Sequence, residues 1–267
     1  MKNHLHTPGR KIDLSRLDAA GTGRFKGGKK AAQPEMPALT ERLVSLQELL
    51  YAQSRHRILV VLQAMDTGGK DGVIRRVFSP LNPQGVRVTS FKVPTAMELS
   101  RDFLWRVHKV VPGNGEIAVF NRSHYEDVLV VRVRNLAPPE IWSKRYAQIN
   151  DFERLLAESG TTILKFFLHI DLDEQKKRLQ ARLDNPAKHW KFRLGDLDDR
   201  KLWTDYMRAY EDVLEKTSTK YAPWYVIPAN RKWYRDLAIA EILVETLEGL
   251  NMDFPKSEEN LDGVVIE

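Results

Sequence analysis

The sequence predicts an α/β protein with a five-stranded parallel sheet covered by helices on both faces. Two observations carry this reading. Short apolar, β-rich runs alternate along the chain with longer segments of helical periodicity. The runs are continuously apolar rather than apolar on every second residue, as in strands buried on both sides. The chain has 267 residues, 42% hydrophobic and 29% charged. This suits one large globular domain or two small ones and excludes a disordered or collagen-like chain.

The elements follow in order. Residues 31–37 (Ala-Ala-Gln-Pro-Glu-Met-Pro) read as a linker. Residues 38–55 carry Leu39, Leu43, Leu46, Leu49 and Leu50 at helical spacing. Residues 57–63 are the first strand, followed by a Gly-rich turn and a helix over 69–78. Residues 86–91 read as the second strand, 97–109 as a helix and 116–120 as the third strand. A long helix over 138–159 opens with Pro138 and Pro139, which suit a first turn. The fourth strand is 161–170, with Asp171 at its end, and 172–183 is helical. Residues 184–199 form a polar connection containing Pro and Gly. A helix over 200–216, a fifth strand over 224–227 and a helix over 233–250 complete the fold, and 251–267 is a loose tail. The domain layout is therefore an arm and linker over 1–37, a folded domain over 38–250 and the tail over 251–267.

Charge is unevenly placed. The formal net charge is +6, and residues 1–30 hold eight Lys and Arg against two Asp, so the remainder is neutral. Gly21, Gly23, Gly27 and Gly28 interrupt any helix in this arm. Such an arm suits a polyanion or serves as a solvated tail. A nucleic-acid partner is not expected, because the folded part has no basic excess of its own. There is no Cys, which removes disulfides, zinc-thiolate sites and thiol nucleophiles. No apolar run approaches the roughly 18 residues of a membrane span. The start has no apolar core of a secretory signal, so the expected compartment is the cytoplasm.

In a parallel sheet the chemistry sits beyond the C-terminal strand ends. After the first strand comes Ala64-Met65-Asp66-Thr67-Gly68-Gly69-Lys70-Asp71-Gly72. Against the template G-x-x-x-x-G-K-[ST], Gly69-Lys70 fits, Ala64 replaces the first Gly and Asp71 replaces Ser/Thr. Thr67, Gly68, Gly69, Lys70 and Asp71 are expected to bind phosphate through amides and the Lys70 charge. A carboxylate among phosphates is repelled unless a metal bridges it, which makes Asp66 a candidate Mg²⁺ residue. The third strand runs into Asn121-Arg122-Ser123-His124-Tyr125-Glu126-Asp127. Asp127 is a candidate second carboxylate at the metal, and Arg122 could clamp a transferring phosphoryl group. Ser123 and Glu126 also fit a capping box. His124 lacks a second His at ligand spacing.

After the fourth strand, Arg178 and Arg182 share a helix face. Lys188, Lys191 and Arg193 lie in the polar connection, where a lid could close cations over phosphates. Lys176 and Lys177 read as solvated. Trp203, Tyr206 and Tyr210 read as a core-facing stripe rather than a base-stacking platform.

Together these residues resemble the polyphosphate kinase 2 family. The matching pieces are the 65–72 loop, the 121–127 turn, the series Gln175, Arg178, Arg182, Pro186, Lys188, Trp190 and Lys191, and Trp203-Thr204-Asp205-Tyr206. The short side chains of the loop resemble the class III subgroup, which phosphorylates nucleoside mono- and diphosphates. Ala64 and Gly68 look like an exchange of the usual Gly and Ala. The resemblance implies a P-loop kinase fold close to thymidylate kinase, with a helical lid at about 184–200. It implies reversible transfer of the terminal phosphoryl of inorganic polyphosphate to AMP and ADP, forming ADP and ATP, with Mg²⁺ or Mn²⁺ as cofactor. It implies catalytic Asp66, Lys70, Arg122 and Asp127, the metal between Asp66 and Asp127, and phosphate-binding Arg178, Arg182, Lys188 and Lys191. Asn121, Arg122 and Glu126 are candidate nucleotide contacts, and a homo-oligomer is expected. The alternatives are an ATP-dependent nucleoside monophosphate kinase and a nucleic-acid-binding protein acting through the arm. A regulatory GTPase ranks last, since no Asn-Lys-x-Asp motif occurs.

Overall fold

Five runs pair into one sheet because each can satisfy its backbone only against a neighbour. Four bury side chains on both faces. The edge strand Val86–Ser90 alternates in sequence and leaves Arg87, Val88 and Ser90 exposed, against the expectation of a continuous apolar run. The computed structural model describes residues 4–257, 259 and 264–266. Lys2 of the arm and part of the predicted tail lie outside them. The elements are α1 Gly28–Ala32, α2 Glu35–Gln53, β1 Arg57–Gln63, α3 Lys70–Val73, β2 Val86–Ser90, α4 Ala96–Leu99, α5 Trp105–His108 and β3 Ile117–Asn121. There follow α6 Val130–Val133, α7 Pro139–Glu158, β4 Thr161–His169, α8 Leu172–Leu183, α9 Leu194–Lys201, α10 Trp203–Thr217, β5 Trp224–Pro228 and α11 Lys232–Glu248. The strand order is β2-β3-β1-β4-β5 and every pairing is parallel.

Alternate residues of the strands feed two cores. Ile58, Val60 and Leu62 join Val119, Phe166 and Ile227 beneath α2, α3 and α11. Leu59, Val61, Phe120 and Phe167 join Ile149, Phe152, Tyr210 and Leu214 beneath α7 and α10. The five residues 58–62 are all fully buried. Each such side chain contributes roughly 1.5–3 kcal/mol of burial. Tyr206 and Tyr210 are buried and Trp203 is partly buried, as a core-facing stripe requires. Among the described residues no helix is long and apolar enough to cross a membrane.

Several expectations change. The segment 97–109 is two short helices. Thr95 and Glu98 close a capping box at the start of α4, and the Asp102 carboxylate accepts from Leu104 N, which turns the chain between α4 and α5. The helix after the Gly-rich turn is α-helical only to Val73 and continues as a π-helix over Ile74–Phe78. The segment 184–199 is largely helical, a 3-10 turn Pro186–Lys191 followed by α9. The fourth strand ends at His169, and Asp171 instead caps α8 by accepting from Glu174 N at 2.7 Å.

The arm and linker also differ from expectation. α2 starts at Glu35, inside the expected linker, and the arm is docked rather than loose. Leu5 bridges antiparallel to Tyr225, and His6 N donates to Trp224 O at 2.8 Å, so the arm seals the β5 edge. Leu14, Ala19, Phe25 and Ala32 are buried. Ala19 O and Ala20 O accept from Asn230 N and Arg231 Nε.

Candidate active site

Strands β1 and β3 are adjacent, with Leu62 opposite Asn121, so the loops that follow them open side by side. The first loop is tightly wound. Gly68 N donates to Met65 O at 3.0 Å and Val73 N to Gly69 O at 3.0 Å. Gly69 has φ +109° and Thr67 φ +67°, so one non-glycine residue of the loop is held in the left-handed region. A Cβ on Gly68 would lie 2.4 Å from Ala64 Cβ and 2.9 Å from Met65 O. The exchanged Ala64 and Gly68 therefore occupy one shared space.

Two buried arginines hold this loop from behind. Arg178 spends all five donors: Nη1 on Thr67 O (2.9 Å) and Gly68 O (3.2 Å), Nη2 on Ala229 O (2.5 Å) and Asn230 O (3.1 Å), and Nε on Glu174 (2.7 Å). The expected phosphate ligand is thus a brace under the loop, because the loop's left-handed turn presents its carbonyls to α8. Arg235 is paired with Asp236 at 2.6 Å and lies where a Cβ on Gly69 would be 1.9 Å from its Nη1. Gly69 is required there by the guanidinium as well as by its φ.

The loop also carries a cluster of charged groups. Lys70 is buried and its Nζ donates to Ala64 O at 2.9 Å. Burial lowers its ammonium to about 8, and Arg122 adds like-charge repulsion. Arg122, at φ +61°, donates to Asp66 Oδ1 at 2.6 Å and to Glu126 Oε2 at 3.1 Å. Glu126, and after it Asp66, raises its guanidinium above the ordinary arginine range. Asn121 Nδ2 donates to Asp71 Oδ1 at 2.8 Å. The expected capping box does not form: Ser123 Oγ accepts from Tyr125 N rather than from Glu126 N, and Glu126 reaches Arg122 instead of the backbone.

Asp127 sits apart from that pair, held by Arg145 Nη1 at 2.9 Å. Burial raises its carboxyl to about 6 although Arg145 opposes the shift. A carboxylate in that state is short of positive charge, which a divalent cation would supply. Among the described residues no group of three or more His, Asp or Glu side chains forms a cage for a metal. A kinase cation needs only one or two carboxylates, with substrate phosphates completing its shell. Thr67 Oγ1 is buried in the loop without a hydrogen-bond partner, a donor set left open for a ligand. Asp66, Asp127 and this loop therefore fit a phosphate-borne divalent ion.

His124 and Tyr125 belong to a buried polar network with Glu153 and Lys165. Lys165 Nζ donates to Glu153 Oε2 (2.5 Å), Tyr125 OH (2.8 Å) and Thr217 O (2.7 Å), and Glu153 Oε1 accepts from Tyr125 OH at 2.7 Å. His124 Nε2 is 3.2 Å from the same carboxylate oxygen, and burial keeps the ring neutral at ordinary pH by lowering its pKa.

At the end of α8, Arg182 Nη1 donates to Lys191 O at 3.1 Å and lies 3.4 Å from Asp196 Oδ2. Asp196 is buried, and burial followed by the Asp66 charge raises its carboxyl. Lys188 is exposed, and Lys191 Nζ stands 4.7 Å over the Trp190 ring. Gln175, fully buried, donates to Asp66 O at 3.4 Å and accepts from Arg200 of α9 at 3.2 Å, linking lid to loop. The sequence reading missed Arg145, Arg235, Asp196 and the Glu153–Lys165 pair. Arg235 had one signal, a charged pair inside the otherwise apolar stripe of the last helix.

Comparison with known proteins agrees over the whole domain. The family described as Polyphosphate kinase 2 (PPK2) matches residues 26–255. A relative from Meiothermus ruber, named AMP/ADP-polyphosphate phosphotransferase, is 60% identical over all of both chains. One from Rhodopseudomonas palustris, named ADP-polyphosphate phosphotransferase, is 46% identical over 93% of this chain and 90% of its own. The crystal structure of Polyphosphate Kinase 2 from Arthrobacter aurescens TC1 superposes with a TM-score of 0.92 at 48% identity, covering 96% of this chain and 92% of that one.

Proposed function

This chain belongs to the polyphosphate kinase 2 family, and we propose that it transfers the terminal phosphoryl group of inorganic polyphosphate to AMP and to ADP, reversibly. The observation that carries the reading is the cluster at the ends of β1 and β3. There a buried Lys70 and an Arg122 held by two carboxylates meet at a phosphate loop braced from behind. Phosphoryl transfer needs alignment and charge neutralisation more than covalent chemistry. A nucleotide phosphate is its own nucleophile, so no strong general base is needed, and His124 is committed to the core.

In this reading Lys70 and the loop from Thr67 to Asp71 bind donor phosphates. Arg122 leaves Asp66 and Glu126 to neutralise the migrating group. Asn121, Arg122 and Glu126 line the acceptor side. Lys188, Lys191 and Arg182 close from the lid. Mg²⁺, or Mn²⁺ in its place, would be held by Asp66 and Asp127 and would supply charge neutralisation between donor and acceptor phosphates. The test is incubation with Mg²⁺, long-chain polyphosphate and AMP, with ADP and ATP followed by chromatography. ATP formed with no triphosphate added supports both steps. Turnover only when ATP is the donor replaces this reading with a nucleoside monophosphate kinase.

A further inference from the structure

The six formal charges of the chain all come from the first 30 residues, yet this arm is docked on the fold. Among the described residues its cations divide into three groups. Arg16 is paired with Asp13, and Arg24 with Glu35 and Glu241. Arg10 and Lys11 lie at the turn closed by Arg10 N on Thr7 O, just after the stretch that pairs with β5. Lys26, Lys29 and Lys30 remain. They are exposed, and among the described residues they have no acidic partner.

Their place is fixed by the contacts around them. Phe25 packs edge-on to Trp233 (6.1 Å) and Tyr234 (6.2 Å) in the first turn of α11. The next residue, Arg235, lies against Gly69. Ala229 O and Asn230 O, just before α11, accept from the Arg178 that also holds Thr67 O and Gly68 O. A continuous chain of contacts thus joins the phosphate loop to the segment bearing these lysines. Arg75 and Arg76 add exposed cations on the π-helical turn that itself packs on α11.

We infer that Lys26, Lys29 and Lys30 form a second contact for the polyphosphate chain, holding phosphates distal to the reacting end. The inference rests on the proposed use of polyphosphate as substrate. Each internal phosphate carries a negative charge, so a long chain extends its charge well past the loop while a short one does not. Neutralising that charge releases counterions from a polyanion and makes the contact salt-dependent.

The test is the triple variant Lys26→Gln/Lys29→Gln/Lys30→Gln in the full chain. Steady-state KM is measured for long-chain polyphosphate and for a short oligophosphate that supports turnover, with titration calorimetry of both. KM and Kd for the long chain are expected to rise roughly tenfold at low salt. The slope of log Kd against log salt is expected to fall by about 2, from three contacts at about 0.7 each. The short chain is expected to be unchanged, and Lys→Arg at all three positions to restore binding. An unchanged long-chain KM and Kd overturns the inference, as does an equal loss for both lengths. A homopolymeric RNA of matched charge that binds as tightly through the same lysines also overturns it, assigning the arm to nucleic acid. If the wild-type protein binds long polyphosphate through these lysines but never transfers from it, the site stands and the proposed activity fails.

Discussion

Gly68→Ala is the perturbation whose outcome the geometry specifies most closely. Its new Cβ would stand 2.4 Å from Ala64 Cβ and 2.9 Å from Met65 O, and neither neighbour is the end of a flexible chain. Gly68 does not have a positive φ, so the whole effect is overpacking. Overpacking of this kind costs about 1–3 kcal/mol. With unfolding entropy near 2.1 cal/mol/K per residue, that is a fall in Tm of roughly 2–5 °C for a chain of this size. The loop must shift to relieve the clash, so turnover should fall about tenfold or more, because misplacement of reacting groups is costly. Ala64→Gly alone should cost about 0.5–1 kcal/mol. The double variant Ala64→Gly/Gly68→Ala should regain most of both losses, leaving a coupling of about 1–2 kcal/mol in a double-mutant cycle. The assay is a thermal melt and initial rates on all four proteins. Additive losses, or a harmless Gly68→Ala, would refute the shared-space argument and with it the reading of these residues as an exchanged pair.

Four other outcomes are expected. Lys70 is charged below about pH 8 in the free protein and neutral above it, so kcat/KM for the phosphate donor should fall with one-proton dependence as pH rises through 8. The stability sign is opposite: the unfolded Lys keeps its proton to about 10.4, so Lys70 adds stability as pH climbs from 8 toward that value, which a chemical denaturation series checks. Asp127→Asn should cut turnover by about 10²-fold or more while circular dichroism stays native; unchanged turnover removes Asp127 from the mechanism. Glu153→Ala should lower stability by about 3–5 kcal/mol by stranding Lys165 in the core, read as an earlier denaturant midpoint.

Four of the strands were legible because they are buried on both faces, which writes continuous apolar runs into the sequence. β2 at the sheet edge is largely exposed and shows only as a short β-branched run. Each expected strand lies within a residue or so of the observed one. The loop motif was legible for a related reason: Gly69-Lys70 stands where the chain must turn sharply out of β1. Arg178 was misassigned because sequence shows a cation on a lid helix but not that Thr67 and Gly68 turn their carbonyls toward it. The break between α4 and α5 depends on the capping pair Thr95 and Glu98, which competes with a longer periodic pattern. Docking of the arm rests on isolated residues such as Leu14, Ala19 and Phe25, too widely spaced to show a period. The Arg235 contact behind Gly69 joins positions 166 residues apart, and nothing local encodes it.

The bridge between Leu5 and Tyr225 also sets an order of events during synthesis. A segment made some 220 residues before its partner cannot reach its resting place until the fifth strand has been made and laid beside the fourth. Contacts of such long sequence separation form late and slow the last step of folding. Until then the outer backbone of β5 has no partner, and an uncovered strand edge is a template for pairing with another chain. Closure by the arm ends that exposure. The arm therefore becomes part of the fold only after β5, the last strand of the sheet, is in place.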